Sequence, residues 1–309
     1  SITETAALTA STIEVLGGKL TLSNSSVAAG AYSIAAGATL QFAAAQEAVL
    51  NAALQKVTGN GIISLSQAAW IGAENGNMTT SDFAGTIQLT QGATLYLGEK
   101  AEANNCHQVS YANATLELAG GKVEVFGGAM SLGKINVTSD GELGIFEVKT
   151  NGGKGNFNVG TIEVDAGKTL TTSNGRGNES WWLSLNVGAL VGEGNLLLTD
   201  GHADRRTHNY DSVGTETTVF GSITNNGETV NLGKDSTSVV NVTTVTNNSG
   251  TLNILSDASI AAFNVNDGTA NVNAAANITT ATISGGTVKF QGNLTLDSLT
   301  QTGGTVYVN

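Results

Sequence analysis

The residues best suited to chemistry are gathered in segment 200–211, Asp-Gly-His-Ala-Asp-Arg-Arg-Thr-His-Asn-Tyr-Asp. It holds two of the three histidines of the chain. Imidazole and carboxylate groups bind divalent metals, so His202, Asp204 and His208 are candidate ligands. Their spacing matches no familiar zinc motif. We therefore predict neither a metal site nor a cofactor.

Two adjacent arginines in the same segment suggest a different ligand. Arg205 and Arg206 could bind an anionic sugar, because a guanidinium group donates paired hydrogen bonds to a carboxylate. The alternative, which we favour, is a polar loop without a ligand, inserted at about residues 199–218. We expect segment 200–211 to project from the fold, because it has charged side chains where an inward-facing strand would need apolar ones.

A second candidate for ligand contact is the aromatic pair Trp181-Trp182, which follows the polar segment 174–180. Adjacent strand residues point to opposite faces, so one indole should be in the core and the other at least partly exposed. An exposed indole could stack on a sugar ring. With segment 200–211 the pair would form a glycan-binding site, although a packing role without a ligand is the interpretation that we favour.

Motifs of known enzymes are missing from the sequence. It has no G-x-S-x-G elbow, phosphate-binding loop, H-E-x-x-H helix or repeated acidic calcium motif. Cys106 and His107 are neighbours, whose side chains rarely converge as a nucleophile and its base must. Four acids could still meet by stacking: Glu142, Glu147, Glu163 and Asp165. We predict no catalytic residues.

The elements that would position these residues are clearest near the C-terminal end. A Gly-Thr-apolar-x-apolar pattern recurs there every 18 residues, beginning at Gly250, Gly268, Gly286 and Gly304. Its apolar and polar residues alternate, as in a half-buried strand. A second strand keeps the same spacing from Val242 to Leu296 and from Val245 to Leu299. This short period predicts a solenoid with two stacked strands per coil and glycine at the turns.

The repeat also predicts which side chains form the core. We expect six apolar residues of these coils to face inward: Ile260, Phe263, Ile278, Leu294, Leu296 and Leu299. Earlier, segment 43–57 contains good helix formers. The overlapping segment 50–65, however, resembles the Gly- and Val-rich segment 185–198, so we predict that both are extended.

The composition supports the same fold class. The 309 residues include 40 glycines and no proline, with 12% charged and 5% aromatic residues. The 40% of apolar residues alternate with polar ones, which argues against disorder. We predict an all-β chain forming one continuous parallel β-helix over residues 1–309, with roughly 18–22 residues per coil. Two looser modules would cover about 40–170 and 171–309.

The net charge, the lack of a long apolar run and the first residues of the chain narrow the possible functions and cellular locations of the protein. The net charge of −12 opposes nucleic-acid binding and suits a soluble monomer. We find no apolar run long enough for a membrane helix, so we do not expect the chain itself to span a membrane. The start, Ser-Ile-Thr-Glu, is no signal peptide. We expect the chain to be a piece of a longer secreted protein.

A longer internal repeat points to a family. Segment 59–98 contains G-x-G, then F-x-G-x-I, then G-x-T-L-x-L, and segment 192–233 follows the same order more loosely. This order resembles the passenger-associated strand repeat of bacterial autotransporter proteins. The resemblance implies a right-handed parallel β-helix at the cell surface of a Gram-negative bacterium or secreted from it. It also implies a C-terminal translocator barrel beyond this sequence.

These observations favour a non-enzymatic passenger region, acting as a stalk or adhesive scaffold. Its partner would be a host glycan or a surface protein. Two alternatives remain open, a glycan-binding module and a β-helix polysaccharide lyase or hydrolase. An enzyme of that fold needs carboxylates clustered on successive coils.

Overall fold

The structure is a computed structural model that describes most of the chain. The described residues are 2–4, 9–23, 28–43, 53–71, 78–98, 108–126, 129–146, 155–174, 183–199 and 207–309. They are mostly β-strand, and each strand pairs in parallel with its equivalents in neighbouring coils. The chain therefore forms a single right-handed parallel β-solenoid, which confirms the predicted fold class.

The described residues contain 28 strands. The first nine are β1 (Ile2–Glu4), β2 (Thr9–Val15), β3 (Lys19–Leu22), β4 (Ala28–Ile34), β5 (Thr39–Phe42), β6 (Val57–Gly59), β7 (Ile62–Leu65), β8 (Ala69–Ile71) and β9 (Met78–Thr80). The next ten are β10 (Thr86–Thr90), β11 (Thr94–Gly98), β12 (Gln108–Ala119), β13 (Lys122–Phe126), β14 (Ala129–Val137), β15 (Gly141–Phe146), β16 (Gly155–Val164), β17 (Thr169–Asn174), β18 (Leu183–Gly192) and β19 (Asn195–Leu198). The last nine are β20 (Thr207–Tyr210), β21 (Phe220–Leu232), β22 (Val240–Ile254), β23 (Ala258–Val265), β24 (Thr269–Val272), β25 (Ala276–Ile283), β26 (Thr287–Phe290), β27 (Leu294–Gln301) and β28 (Thr305–Val308).

Of the described strands, 25 stack into three parallel ladders, which a full coil visits in the order A, B, C, whereas β2, β4 and β6 form a separate three-stranded parallel sheet. Ladder A includes β20, β24, β26 and β28; ladder B includes β5, β7 and β10; ladder C includes β11, β13 and β15. Long strands bend and serve more than one ladder. In β23, Ile260 and Phe263 are three residues apart and both buried, which requires such a bend. The C-terminal coils therefore contain two strands each, as predicted, but the longer of the two bends, so that one coil contributes to three ladders.

The predicted register is confirmed in the C-terminal coils. Val242 pairs with Ile260, which pairs with Ile278, 18 positions further on. In each repeat a glycine directly precedes the residues that pair in ladder A. The values of φ are 79°, 75°, 69° and 67° at Gly250, Gly268, Gly286 and Gly304. Coils in the middle of the chain are longer, and Thr86 pairs with Thr115, 29 positions away.

The core is one continuous column of apolar side chains inside the solenoid. Ile260, Phe263 and Ile278 are at most 1% exposed, as predicted. Leu294 and Leu296 are only partly buried, and Leu299 is 46% exposed. Leu299 shares its register with the buried Ala281 but stays exposed, because β27 pairs with β25 on one side and with no described strand on the other.

The first glycines of the two copies of the longer repeat have the same local geometry. A Cβ added to Gly59 would lie 2.2 Å from the carbonyl oxygen of Ile34, and one added to Gly192 would lie 2.1 Å from that of Val164. The two glycines have φ of 100° and 98°. Both therefore need a positive φ and a close approach of the previous coil, which only glycine allows.

Residues 53–55 are helical, so the prediction that they are extended is wrong. Residues 44–52 lie outside the described residues. Ala53 and Leu54 are buried, and the hydroxyl of Tyr111 donates a hydrogen bond of 2.6 Å to the Leu54 carbonyl. The good helix formers of this segment and this tertiary contact outweigh its likeness to the later copy, which forms β18.

Candidate functional site

The polar segment 200–211 is described from residue 207 onward. Thr207–Tyr210 form β20, which pairs with β18 and with β21, so these residues complete a coil. The prediction that the segment projects is wrong for them. These residues fit a strand because buried and outward side chains alternate along β20. The rings of His208 and Tyr210 point into the core, while Asn209 points outward.

The other predicted ligand-contact residues lie outside the described residues, and their roles stay predictions: Trp181, Trp182, His202, Asp204, Arg205 and Arg206. Their position in the chain is nevertheless informative. Both segments fall between a strand of ladder C and the next strand of ladder A, in two successive coils. The strands that flank them are stacked on each other.

His208 belongs to a buried ionisable cluster rather than to a surface site. Its Nε2 contacts a carboxylate oxygen of Glu228, and the two side chains are 2% and 0% exposed. Burial, and then the negative charge of Glu228, raise the pKa of the Tyr210 hydroxyl well above its usual value of 10. This cluster lies inside the solenoid, where it can fix the packing of two coils.

The four acids that could have met by stacking do not form one group. Glu142 is on ladder C in β15, whereas Glu163 is on ladder B in β16. Asp165 lies in the turn after β16, and Glu147 is outside the described residues. These positions give no support to a shared acid site.

A different pair of acids does converge, on ladder C. The Lys122 ammonium lies 2.8 Å from Glu124 Oε1 and 2.9 Å from Glu142 Oε1. The hydroxyl of Ser173 donates a further hydrogen bond of 2.5 Å to Glu142. The sequence did not reveal this triad, because it depends on a coil length of 20 residues that pairs Lys122 with Glu142.

The electrostatics of this triad favour ionised side chains. Partial burial raises the pKa of Glu142, but the hydrogen bonds from Ser173 and Lys122 and the lysine charge outweigh it and lower the pKa below 4.5. Burial lowers the pKa of Lys122, but the hydrogen bonds and charges of its two glutamates raise it overall. Glu142 is thus a stable carboxylate, unlike the general acid of a glycosidase, whose pKa is raised.

An aromatic pair stands beside this triad on the outer face of ladder C. Trp70 in β8 and Tyr96 in β11 are register partners in successive coils, and Tyr96 is in turn partnered by Glu124. Both rings are half-buried. The indole Nε1 of Trp70 donates to the carbonyl oxygen of Gly98. This aromatic pair presents apolar ring surface next to polar groups. The sequence predicts the same kind of surface for one indole of Trp181 and Trp182.

A column of asparagines follows the outer face of ladder A. Each member donates from Nδ2 to Oδ1 of the member one coil before, at 2.7–2.9 Å, and the column runs through Asn158, Asn186, Asn209, Asn231, Asn253 and Asn271. Ser131 and Ser110 extend the line of polar residues on the N-terminal side, joined by a hydrogen bond of 2.9 Å. We call the six residues the amide column.

Within the described residues, no group of three or more His, Cys, Asp and Glu side chains is placed to hold a metal ion. Within the same ranges, no helix has the length and apolar character needed to cross a membrane. Compared with protein-family models, curated proteins and solved structures, the chain gives no match.

Proposed function

We propose that this chain is a non-enzymatic scaffold, the stalk or adhesive region of a secreted or cell-surface protein resembling an autotransporter passenger. The observation that carries the proposal is the parallel stacking of 25 of the 28 described strands into one set of ladders. In a solenoid each coil is stabilised by its neighbours. Such a chain can hold a binding surface away from a cell.

The outward polar side chains support this proposal by the contacts they make. On ladder A the amide column links successive coils by hydrogen bonds. On ladder B, Ser64 donates to Gln88, which donates to Glu117 in the following coil. On ladder C the ammonium of Lys122 forms ion pairs with both Glu124 and Glu142. These groups stabilise the stack and leave little reason to assign them to a reaction.

An activity screen tests the non-enzymatic part of the proposal. The purified chain should release neither reducing ends nor unsaturated products from soluble neutral and anionic polysaccharides. Turnover that is lost in Glu124→Gln or Glu142→Gln would contradict the scaffold function and favour the lyase or hydrolase alternative.

A cell-surface assay tests the location. An antibody against the chain should label intact cells of the native bacterium or detect the chain in the culture medium. Protease added to intact cells should remove any cell-bound signal. Labelling that needs permeabilised cells, with none in the medium, would contradict the proposed location.

A second candidate function, glycan binding, is favoured by the aromatic pair Trp70 and Tyr96. Aromatic side chains on adjacent coils, with Glu124 and its partner Lys122 in the next coil, suit a sugar, whose apolar face and hydroxyl groups they can contact together. On a glycan array, Trp70→Ala should then lose binding. Tyr307→Ala is the matched control, since Tyr307 is an exposed aromatic residue on ladder A.

A further inference from the structure

A groove follows the solenoid axis on its outer surface, where ladder A turns into ladder B. Its volume is about 610 Å³. One wall consists of Ser131 and four members of the amide column, Asn158, Asn186, Asn209 and Asn231. These five residues come from five successive coils, so at about 4.8 Å per coil the wall is roughly 20 Å long.

The groove is formed by tight backbone packing at its floor. A Cβ on Gly160 would lie 2.5 Å from the carbonyl oxygen of Gly133, and a Cβ on Gly188 would lie 2.7 Å from that of Gly160. Only glycine permits this approach, so the corner of these coils carries no side chains. Both Gly160 and Gly188 are exposed, which leaves their backbone accessible from the groove.

The wall of the groove offers a preorganised row of hydrogen-bonding groups. In Asn186, one amide hydrogen goes to Asn158 and one lone pair of Oδ1 accepts from Asn209. An amide has two hydrogens and two carbonyl lone pairs, so one of each remains for a ligand. The inter-coil hydrogen bonds already fix these side chains, which lowers the entropy lost on binding.

The charges at the groove indicate what kind of ligand it takes. Asp211 and Lys234 are the two charged residues among those that line it, and they pair with each other at 3.2 Å. An anionic chain would find no uncompensated cation there. At one end Leu255, 37% exposed, adds apolar surface. Donors, acceptors and apolar surface without net charge match the hydroxyl and C–H groups of a neutral sugar.

The backbone along the groove argues against a peptide. An extended peptide usually binds by adding a strand to a free sheet edge. Here β18 is paired on both sides, with β16 and β20, and β20 is paired with β18 and β21. We infer that the groove binds an extended, uncharged polysaccharide. This site is separate from the aromatic pair on ladder C.

Two substitutions in the same column provide the test. Asn186→Leu removes a groove residue, and Asn253→Leu removes one that is also hydrogen-bonded on both sides but does not line the groove. Affinity electrophoresis of the chain in gels with dextran, mannan or hydroxyethylcellulose should show retardation by at least one. We expect Asn186→Leu to raise the dissociation constant by about tenfold or more, as loss of about 1.4 kcal/mol predicts. Asn253→Leu should bind like the unaltered chain.

A groove-filling variant distinguishes loss of binding from loss of folding. Ser131→Trp should block the same groove without interrupting the amide column, and circular dichroism should report a folded solenoid for each variant. The inference is overturned by absence of retardation, by equal weakening in Asn186→Leu and Asn253→Leu, or by retardation in polygalacturonate gels alone. Loss of binding in Trp70→Ala but not in Asn186→Leu would place the glycan on ladder C and equally overturn it.

The outcome is independent of the scaffold function. Binding without turnover supports both the scaffold function and polysaccharide binding in the groove. Binding with turnover contradicts the non-enzymatic scaffold function but still supports polysaccharide binding in the groove. Failure to bind leaves the result of the activity screen unchanged.

Discussion

The imidazole of His208 and the carboxylate of Glu228 meet inside the solenoid, from successive coils of ladder A. Neither side chain is more than 2% exposed. Both side chains lose their contact with water on burial, so the loss of one partner leaves the other polar group buried without it. The pair therefore makes the packing of these two coils sensitive to single substitutions.

We predict that Glu228→Ala destabilises the chain by about 1–3 kcal/mol, since it leaves the polar His208 ring buried without its partner. Urea unfolding followed by circular dichroism measures the change. The double variant His208→Leu with Glu228→Leu should be less destabilised than Glu228→Ala. An equal or larger loss in the double variant would show that the two side chains do not act as a pair.

Glycines with a positive φ should differ in how well they tolerate alanine. Gly268 has φ of 75°, and an added Cβ would lie 2.3 Å from the carbonyl oxygen of Gly250. Gly92 has φ of 84°, and an added Cβ would meet nothing within 4 Å. Gly92→Ala should cost about 1–2 kcal/mol from backbone strain alone. Gly268→Ala should cost above about 4 kcal/mol, because one coil must also move. Similar unfolding free energies for the two variants would contradict the close stacking of these turns.

The stability contributed by Glu142 should depend on acid pH. Its pKa is lowered in the folded chain, so its contribution is fully present above the unfolded pKa of about 4.3 and is lost as the pH falls through the folded pKa. Glu142 is 38% exposed, so the effect should be at most about 1 kcal/mol. Glu142→Gln should therefore be less stable than the unaltered chain at pH 6 and equally stable near pH 2. The exposed Glu193→Gln is the control, and a difference between Glu142→Gln and the unaltered chain that persists at pH 2 would contradict the ionic origin.

A charge placed in the core should be far more harmful than one in the last coil. Ile278→Asp should destabilise by at least about 3 kcal/mol, because Ile278 is fully buried between its partners Ile260 and Leu296. Leu299→Asp should change the stability by less than about 1 kcal/mol, since Leu299 is 46% exposed. Thermal unfolding of both variants provides the comparison. An unchanged midpoint for Ile278→Asp would refute the inward register.

The sequence alone was sufficient for the fold class and for the register of the C-terminal coils. The period of 18 brings Val242, Ile260 and Ile278 into line, and the alternation within each strand indicates which side is buried. Both signals are local, because the face of a side chain follows from its neighbours along one strand. At His208 the charged residues around it indicate a surface loop, whereas alternation within β20 buries its ring.

The candidate sites were decided by the tertiary structure. Successive members of the amide column are 28, 23, 22, 22 and 18 residues apart, and Trp70 is 26 positions before Tyr96. Alternation shows that each of these side chains faces outward, but it does not show which of them are neighbours. That depends on how many residues each coil contains, and in the longer coils this number varies without a repeated pattern. Only the hydrogen bonding of strand to strand fixes the register, and with it the column, the aromatic pair and the groove.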